Sequence, residues 1–232
     1  MARTLSDILD GLSHAVAPRL CAICRHPLLH DEHLMCLHCL LDMPRAHITD
    51  FEFNTIHSRL AHHIPVARAV AWYLYDKSSP YARLIVEGKY NMRPRQCRTL
   101  GAMMAREIVS TGFFDSIDAL VPVPLHWKKR LSRGYNQTEE IARGISCVTG
   151  IPVINGLRAV LSHGVQSRHT AAERATALAG TFRALRPDRL AGRHLLIVDD
   201  LITTGATIAE SLRAISAASP SALSILSLAI TR

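Results

Sequence analysis

Four cysteines have the residue types and the spacing to do chemistry together. They are Cys21-Ala-Ile-Cys24 and Cys36-Leu-His-Cys39, with eleven residues between the two pairs. Two residues between cysteines let a tight knuckle present both sulfurs to one ion, and two knuckles complete a tetrahedral thiolate set of the structural zinc kind. The alternative is four buried, reduced thiols that share the pattern by coincidence. A closed four-sulfur site has no open position, so catalysis is not expected there. His26 and His38 flank the knuckles and read as surface residues; Cys97 and Cys147 stand alone and read as ordinary thiols.

The second constellation is Leu195-Leu196-Ile197-Val198-Asp199-Asp200-Leu201-Ile202-Thr203-Thr204-Gly205-Ala206-Thr207. An aliphatic strand is expected to end at two carboxylates, pass through a hydroxyl-rich turn and enter a helix. Amides at a helix N-terminus, with the positive end of its dipole, favour an anion. Thr203, Thr204 and Thr207 add hydroxyl donors, and Gly205 lets the backbone close around a phosphate. Asp199 and Asp200 repel phosphate, so they are expected to serve sugar hydroxyls or a hydrated Mg2+. Phosphate, ribose and metal together describe a phosphoribosyl compound. The plainer alternative is that Thr204 caps the helix and the acids merely end the strand, but a cap needs only one such residue.

The elements that must position these groups fall into two parts. Residues 1–65 hold four of six cysteines and nine of thirteen histidines, with Leu5, Ile8, Leu9 and Leu12 at helical spacing before the first knuckle. Residues 66–232 alternate apolar strands with amphipathic helices, the pattern of an α/β domain with a largely parallel sheet. Strands are expected at 66–75 (extended or a hairpin), 119–124, 158–161, 180–185, 194–198 and 223–230. Helices are expected at 81–90, 99–109, 136–148 and 206–217, with a polar loop over 162–171 and a helical turn over 172–178.

Composition bounds the partners. The chain has 232 residues, 48% of them hydrophobic and 20% charged, which excludes an intrinsically disordered protein. A net charge of +8 suits an anionic partner without choosing among phosphate esters, nucleic acids and acidic membranes. Asp7 and Asp10 interrupt any signal peptide, and no apolar run is long enough to span a membrane. A cytoplasmic location follows as the expectation, with reduced cysteines.

The acid pair and its turn resemble the phosphoribosyl pyrophosphate signature of type I phosphoribosyltransferases, four aliphatics followed by D-D-x-x-T-T-G-x-T. Further motifs narrow the likeness. Lys89-Tyr90 precedes Val121-Pro122-Val123-Pro124, which runs through Trp127, Lys128, Lys129, Arg130 and Arg133-Gly134-Tyr135-Asn136-Gln137. Gln166, Glu173-Arg174 and Gly180-Thr181-Phe182 follow. With the cysteine knuckles in front, this order resembles the ComF family of competence proteins, which includes the GntX-type DNA-utilisation proteins. One departure is Ala177, where the family pattern usually has asparagine.

The resemblance implies the type I phosphoribosyltransferase fold, a parallel twisted sheet flanked by helices, carrying a small N-terminal zinc-knuckle module. It implies that Asp199 and Asp200 face the ribose hydroxyls and that Thr203, Thr204, Gly205, Ala206 and Thr207 wrap the 5′-phosphate. Lys89, Arg130, Arg133, Gln166 and Arg174 become candidates for the pyrophosphate and the loop that closes over it. A hood that recognises an acceptor is expected around 66–75. The cofactors implied are structural Zn2+, and Mg2+ with phosphoribosyl pyrophosphate.

Two classes of function remain open on this reading. One is a protein of DNA uptake that binds incoming single-stranded DNA and docks to a competence helicase; Trp127, Lys128, Lys129, Arg130 and Tyr135 are its DNA candidates, with Trp72 a further stacking ring. The other is an active Mg-dependent phosphoribosyltransferase with an unidentified acceptor. A non-catalytic sensor of the donor is a variant of the second.

Overall fold

Four aliphatic stretches are apolar almost without alternation, as strands must be when both faces of a parallel sheet are covered. In the computed structural model they form one sheet. They are β1 (Arg68–Tyr75), β2 (Ala119–Pro122), β5 (His194–Ile202) and β6 (Ala222–Thr231), all parallel, in the order β1-β6-β5-β2. The described residues are 19–46, 50–60, 64–90, 94–125, 127–160 and 180–232, without the side chains of residues 89, 90 and 127–129. The expected N-terminal helix, the 162–171 loop, the 172–178 turn, Gln166, Arg174 and Ala177 lie outside them.

Helices cover both faces. On one side α4 (Pro94–Ile108) packs with α6 (Gln137–Thr149), and Leu100, Met104, Ile141 and Ile145 meet Leu120, Leu196 and Val198. On the other, α7 (Ala206–Ser216) sets Ile208, Leu212 and Ile215 against Leu195, Ile197 and Ile225. The period-two alternation of β5 thus feeds two cores. The α4–α6 contact is unusually close because each helix offers a glycine: a Cβ on Gly101 would lie 2.1 Å from the Ile141 carbonyl oxygen, and one on Gly144 2.0 Å from that of Arg98.

Shorter elements complete the chain. α1 (Leu37–Leu41) follows the third cysteine, and α2 (Thr55–Leu60) precedes β1. α3 (Ala82–Tyr90) leads towards α4, while α5 (Trp127–Arg133) precedes α6. β3 (Leu157–Ala159) and β4 (Phe182–Ala184) form a separate antiparallel ribbon. No helix among the described residues is long and apolar enough to cross a membrane.

The expected α/β class, with a parallel sheet, flanking helices and a small cysteine module, is the one observed. Two expectations are corrected. The 66–75 stretch is neither hairpin nor hood: β1 pairs with β6 from Arg68↔Ser224 to Tyr75↔Thr231. Five consecutive buried residues, Ala69 to Tyr73, need cover on both faces, which a sheet strand supplies and a hood does not. Nor does β5 stop at the acids. Pairing with β6 at Asp199↔Ser227 and Leu201↔Ala229 carries it to Ile202, and ladder hydrogen bonds override the weak strand preference of aspartate.

The cysteine segment packs on the sheet directly. Cys21, Ile23, Met35, Cys36, Cys39 and Met43 belong to the same apolar core as Trp72, Tyr73, Tyr81 and Leu84. The Tyr81 hydroxyl donates to the Cys39 carbonyl at 2.8 Å, Arg83 to that of Ile23 at 2.8 Å, and the Leu74 amide to that of Pro44 at 2.7 Å.

Candidate functional site

The four cysteine ligand atoms lie within 4.8 Å of one another. Sulfurs about 2.3 Å from a central ion form a tetrahedron with edges of about 3.8 Å, and Cys24 Sγ stands 3.8 Å from Cys36 Sγ. The Ile23 and Cys36 amides each donate to Cys21 Sγ at 3.4 Å. Burial pushes the Cys21 thiol up, but backbone N–H groups around it outweigh burial and bring it down to about 7. Burial and the neighbouring thiols push Cys39 the other way. Four such sulfurs are able to hold a metal such as zinc. His26 and His38 are exposed, and His38 Nδ1 lies 2.9 Å from Asp42 Oδ2.

At the other constellation, Asp199 is buried and its Oδ1 accepts the Asp200 amide at 2.9 Å. Face alternation changes phase at this pair: Leu196 and Val198 face α4 and α6, yet beyond the acids Leu201 contacts that core and Ile202 the opposite one. β6 changes phase alongside, with Leu228 and Ala229 in one core and Ile230 in the other. Both strands twist through the same point, and the carboxylates sit there. After burial itself, the Asp200 charge is the next influence raising the buried Tyr73 hydroxyl.

The turn after β5 has exposed Thr203 and Thr204 and a left-handed Gly205 at φ +82°, from which α7 starts at Ala206. The Ala206 amide donates to Thr204 Oγ1 at 3.4 Å. The amides of Thr204, Gly205 and Thr207 donate to no backbone carbonyl among the described residues. These donors stand at the N-terminus of an eleven-residue helix, in a turn whose Thr203 and Thr204 are exposed and whose Gly205 is buried against Leu60.

The sequence offered no sign of what fastens this turn. Arg59 of α2 donates from Nη1 to the Thr203 carbonyl at 2.5 Å and to Thr231 Oγ1 at 3.1 Å, and from Nη2 to the Thr231 carbonyl. Leu60 covers Gly205 so closely that a Cβ there would be 3.2 Å from Leu60 Cδ2. Arg59 and Leu60 therefore pack against the turn, which residues 66–75 do not reach as a hood because they form β1. Beside them opens a cavity of about 460 Å3, lined by Asp50, Asn54, Ala71, Leu74, Thr231 and Arg232.

The Val123 turn lies next to the acid pair, because the Val123 amide donates to the Val198 carbonyl at 2.9 Å. Ligand sites of parallel α/β sheets lie at such carboxyl ends. The R-G-Y-N-Q element braces this turn. Asn136 is buried at the start of α6 and donates to the Val123 carbonyl at 3.2 Å, which Thr138 also reaches at 2.5 Å. Tyr135 donates to the Gly88 carbonyl at 2.9 Å, at the end of α3, and Arg133 to Gln137 Oε1 at 2.7 Å. Arg130 is exposed. Lys89 lies near the end of α3, and Trp127, Lys128 and Lys129 open α5, with side chains outside the described residues. Trp72 is not a stacking ring: it is fully buried, and its indole N–H donates to Glu107 Oε2 at 2.9 Å. The sheet needed a large apolar residue at that position.

No family model matches the chain. Among curated proteins it is similar to the DNA utilization protein YhgH of Escherichia coli strain K12, 28% identical over 215 residues covering 83% of this chain and 88% of that one. It is similar to competence protein F of Haemophilus influenzae, 29% identical over 136 residues, or 56% of this chain and 59% of that one. Among solved structures it is similar to glutamine phosphoribosylpyrophosphate amidotransferase from B. subtilis complexed with ADP and GMP. The identity is 21%, the TM-score 0.43 and the cover 62% of this chain, which spans 30% of that one.

Proposed function

We propose that this chain binds phosphoribosyl pyrophosphate, as its Mg2+ complex, at the turn between β5 and α7, and that it acts in DNA utilisation by binding single-stranded DNA. The observation that carries the donor reading is the acid pair followed by the Thr203–Thr207 turn, where the amides of Thr204, Gly205 and Thr207 have no backbone acceptor among the described residues. Amides and threonine hydroxyls donate to a 5′-phosphate, and carboxylates accept from ribose hydroxyls, so one ligand satisfies both ends. Mg2+ would neutralise the pyrophosphate when bound. The DNA reading is supported by the names of the similar proteins and by the net charge of +8. The cysteine set is read as a structural zinc site that braces β1 and α3.

Calorimetry with phosphoribosyl pyrophosphate and Mg2+ tests the donor reading. Saturable binding is expected, weakened at least tenfold by Asp199→Asn with Asp200→Asn. Undetectable binding, or full binding by the double variant, would overturn it.

A second reading, transfer of ribose 5-phosphate to an acceptor, is favoured by the cavity lined by Thr231, which Arg59 also holds, where an acceptor would have room. Pyrophosphate release on adding candidate nucleophiles separates turnover from binding alone.

A further inference from the structure

The β3–β4 ribbon carries a charge arrangement that its own stability does not call for. Arg158 and Arg183 stand directly opposite each other across the two strands, both exposed, while Leu157 and Phe182 are buried beneath. Like charges directly opposite on one face of a sheet are destabilising. Neither guanidinium has an ion pair among the described residues, and the same holds for Arg186, Arg189 and Arg193. Among the described residues from 157 to 193, Asp188 is the sole acid.

The ribbon borders a groove. A cavity of about 530 Å3 lies between it, the end of β2 and the start of α6. Pro124, Leu125 and Leu157 give it an apolar lining, with Asn136, Asn155, Arg130 and Arg158 as polar partners and the Glu139 carboxylate on the α6 side. Arg130 makes only a loose pair, 3.7 Å from a Glu139 carboxylate that Arg143 holds at 2.6 Å. The volume is of the size that holds a small organic ligand.

We propose that this groove and ribbon bind single-stranded nucleic acid, with a base against the apolar lining and successive phosphates on Arg130, Arg158 and Arg183. Guanidinium forks match phosphate oxygens in pairs, and exposed bases of a single strand bring an aromatic face that an inorganic anion lacks. Duplex DNA keeps its bases stacked and offers none to the groove. An acidic peptide would use the arginines and leave the lining bare. The assignment rests on the DNA half of the proposed function; Arg130 is shared with the residues expected near the pyrophosphate, whereas Arg158 and Arg183 are not, so the test removes those two.

Fluorescence anisotropy with a labelled oligo-dT strand across a salt series tests it. Two variants each remove two charges: Arg158→Gln with Arg183→Gln from the ribbon, and Arg95→Gln with Arg106→Gln from exposed positions on α4. The ribbon variant is expected to bind at least tenfold more weakly and to lose about 1.4 from the log–log salt slope, roughly 0.7 per phosphate contact. Its thermal midpoint should hold or rise, and its affinity for phosphoribosyl pyrophosphate should stay. The α4 variant should bind within about threefold of the unaltered chain. Equal losses in both variants would reduce the effect to net charge and overturn the site. So would an unweakened ribbon variant, a loss of donor affinity in place of DNA affinity, or equal affinity for a duplex or for phosphatidylglycerol vesicles. If the unaltered chain does not bind the strand at all, the DNA half of the proposed function falls with the site, while donor binding stands or falls by its own calorimetry.

Discussion

The guanidinium of Arg59 holds the carbonyl oxygen of Thr203 at 2.5 Å, across 144 positions of sequence. A trans peptide points its carbonyl and the following N–H in opposite directions. Fixing the Thr203 oxygen on α2 therefore aims the Thr204 amide away from α2, into the turn. The same guanidinium grips Thr231 at the end of β6, so the turn is tied to the sheet as well.

Arg59→Ala should therefore loosen the turn rather than the fold. On the donor reading, affinity for phosphoribosyl pyrophosphate is expected to fall about tenfold, the effect of losing a charged hydrogen bond of about 1.5 kcal/mol. Arg59→Lys should recover part of it, because an ammonium reaches one carbonyl but not the fork. Calorimetry on both, with melting in the absence of ligand as a control, decides. Unchanged affinity in Arg59→Ala would show that the turn holds its own shape.

Removing metal from the cysteine set should be felt at Trp72. That ring is fully buried in the core shared with Cys21, Cys36 and Cys39. In a Trp127→Phe background it is the sole tryptophan. A strong chelator is expected to shift its emission to the red and lower the melting midpoint, while helical circular dichroism at room temperature largely persists. Emission and melting that ignore the chelator would contradict a structural metal.

Gly144→Ala should be among the most costly single-methyl changes in the chain. The added Cβ would fall 2.0 Å from the Arg98 carbonyl oxygen, a backbone atom with nowhere to go unless α4 and α6 part. Overpacking of this kind costs about 1–3 kcal/mol. Urea denaturation should show the loss as a lower midpoint at an unchanged slope; an unshifted midpoint would mean that the helices separate freely.

His194 should make stability fall on the acid side of neutrality. It is buried, with Nε2 2.8 Å from Ser224 Oγ. Burial, and then the Arg68 charge, hold it below the ordinary value of 6.5, against an opposing pull from Asp118. The unfolded chain therefore takes the proton first. This contribution is complete above pH 6.5 and declines as pH falls below it, until the folded histidine is protonated as well. His194→Gln should flatten that part of a melting-against-pH profile; an unchanged profile would assign the slope to other groups.

Legibility in the sequence followed the range of the interaction. The helices of 82–90, 137–149 and 206–216 were readable within a residue of their ends, because apolar spacing and turn residues are local signals, whereas that of 94–108 was read only from residue 99. The strand at 68–75 was legible as extended but not as an edge of the main sheet. Its apolar run says that both faces are covered without saying by what. The end of β5 was misplaced for a similar reason: aspartates look like a stop until β6 is seen to run alongside them.

By itself, the sequence determined the chemistry that a few neighbouring residues can do. Two C-x2-C knuckles must offer paired sulfurs, and an acid pair before a Thr-Thr-Gly turn must set carboxylates beside helix amides, because spacing along a chain dictates geometry over one or two turns. Only the tertiary structure decided which distant groups complete those sites. It brought Arg59 onto Thr203, packed three of the four cysteines into the core that holds Trp72 and stood Arg158 opposite Arg183. Those meetings depend on sheet order, register and packing across long connections, and no local spacing encodes them.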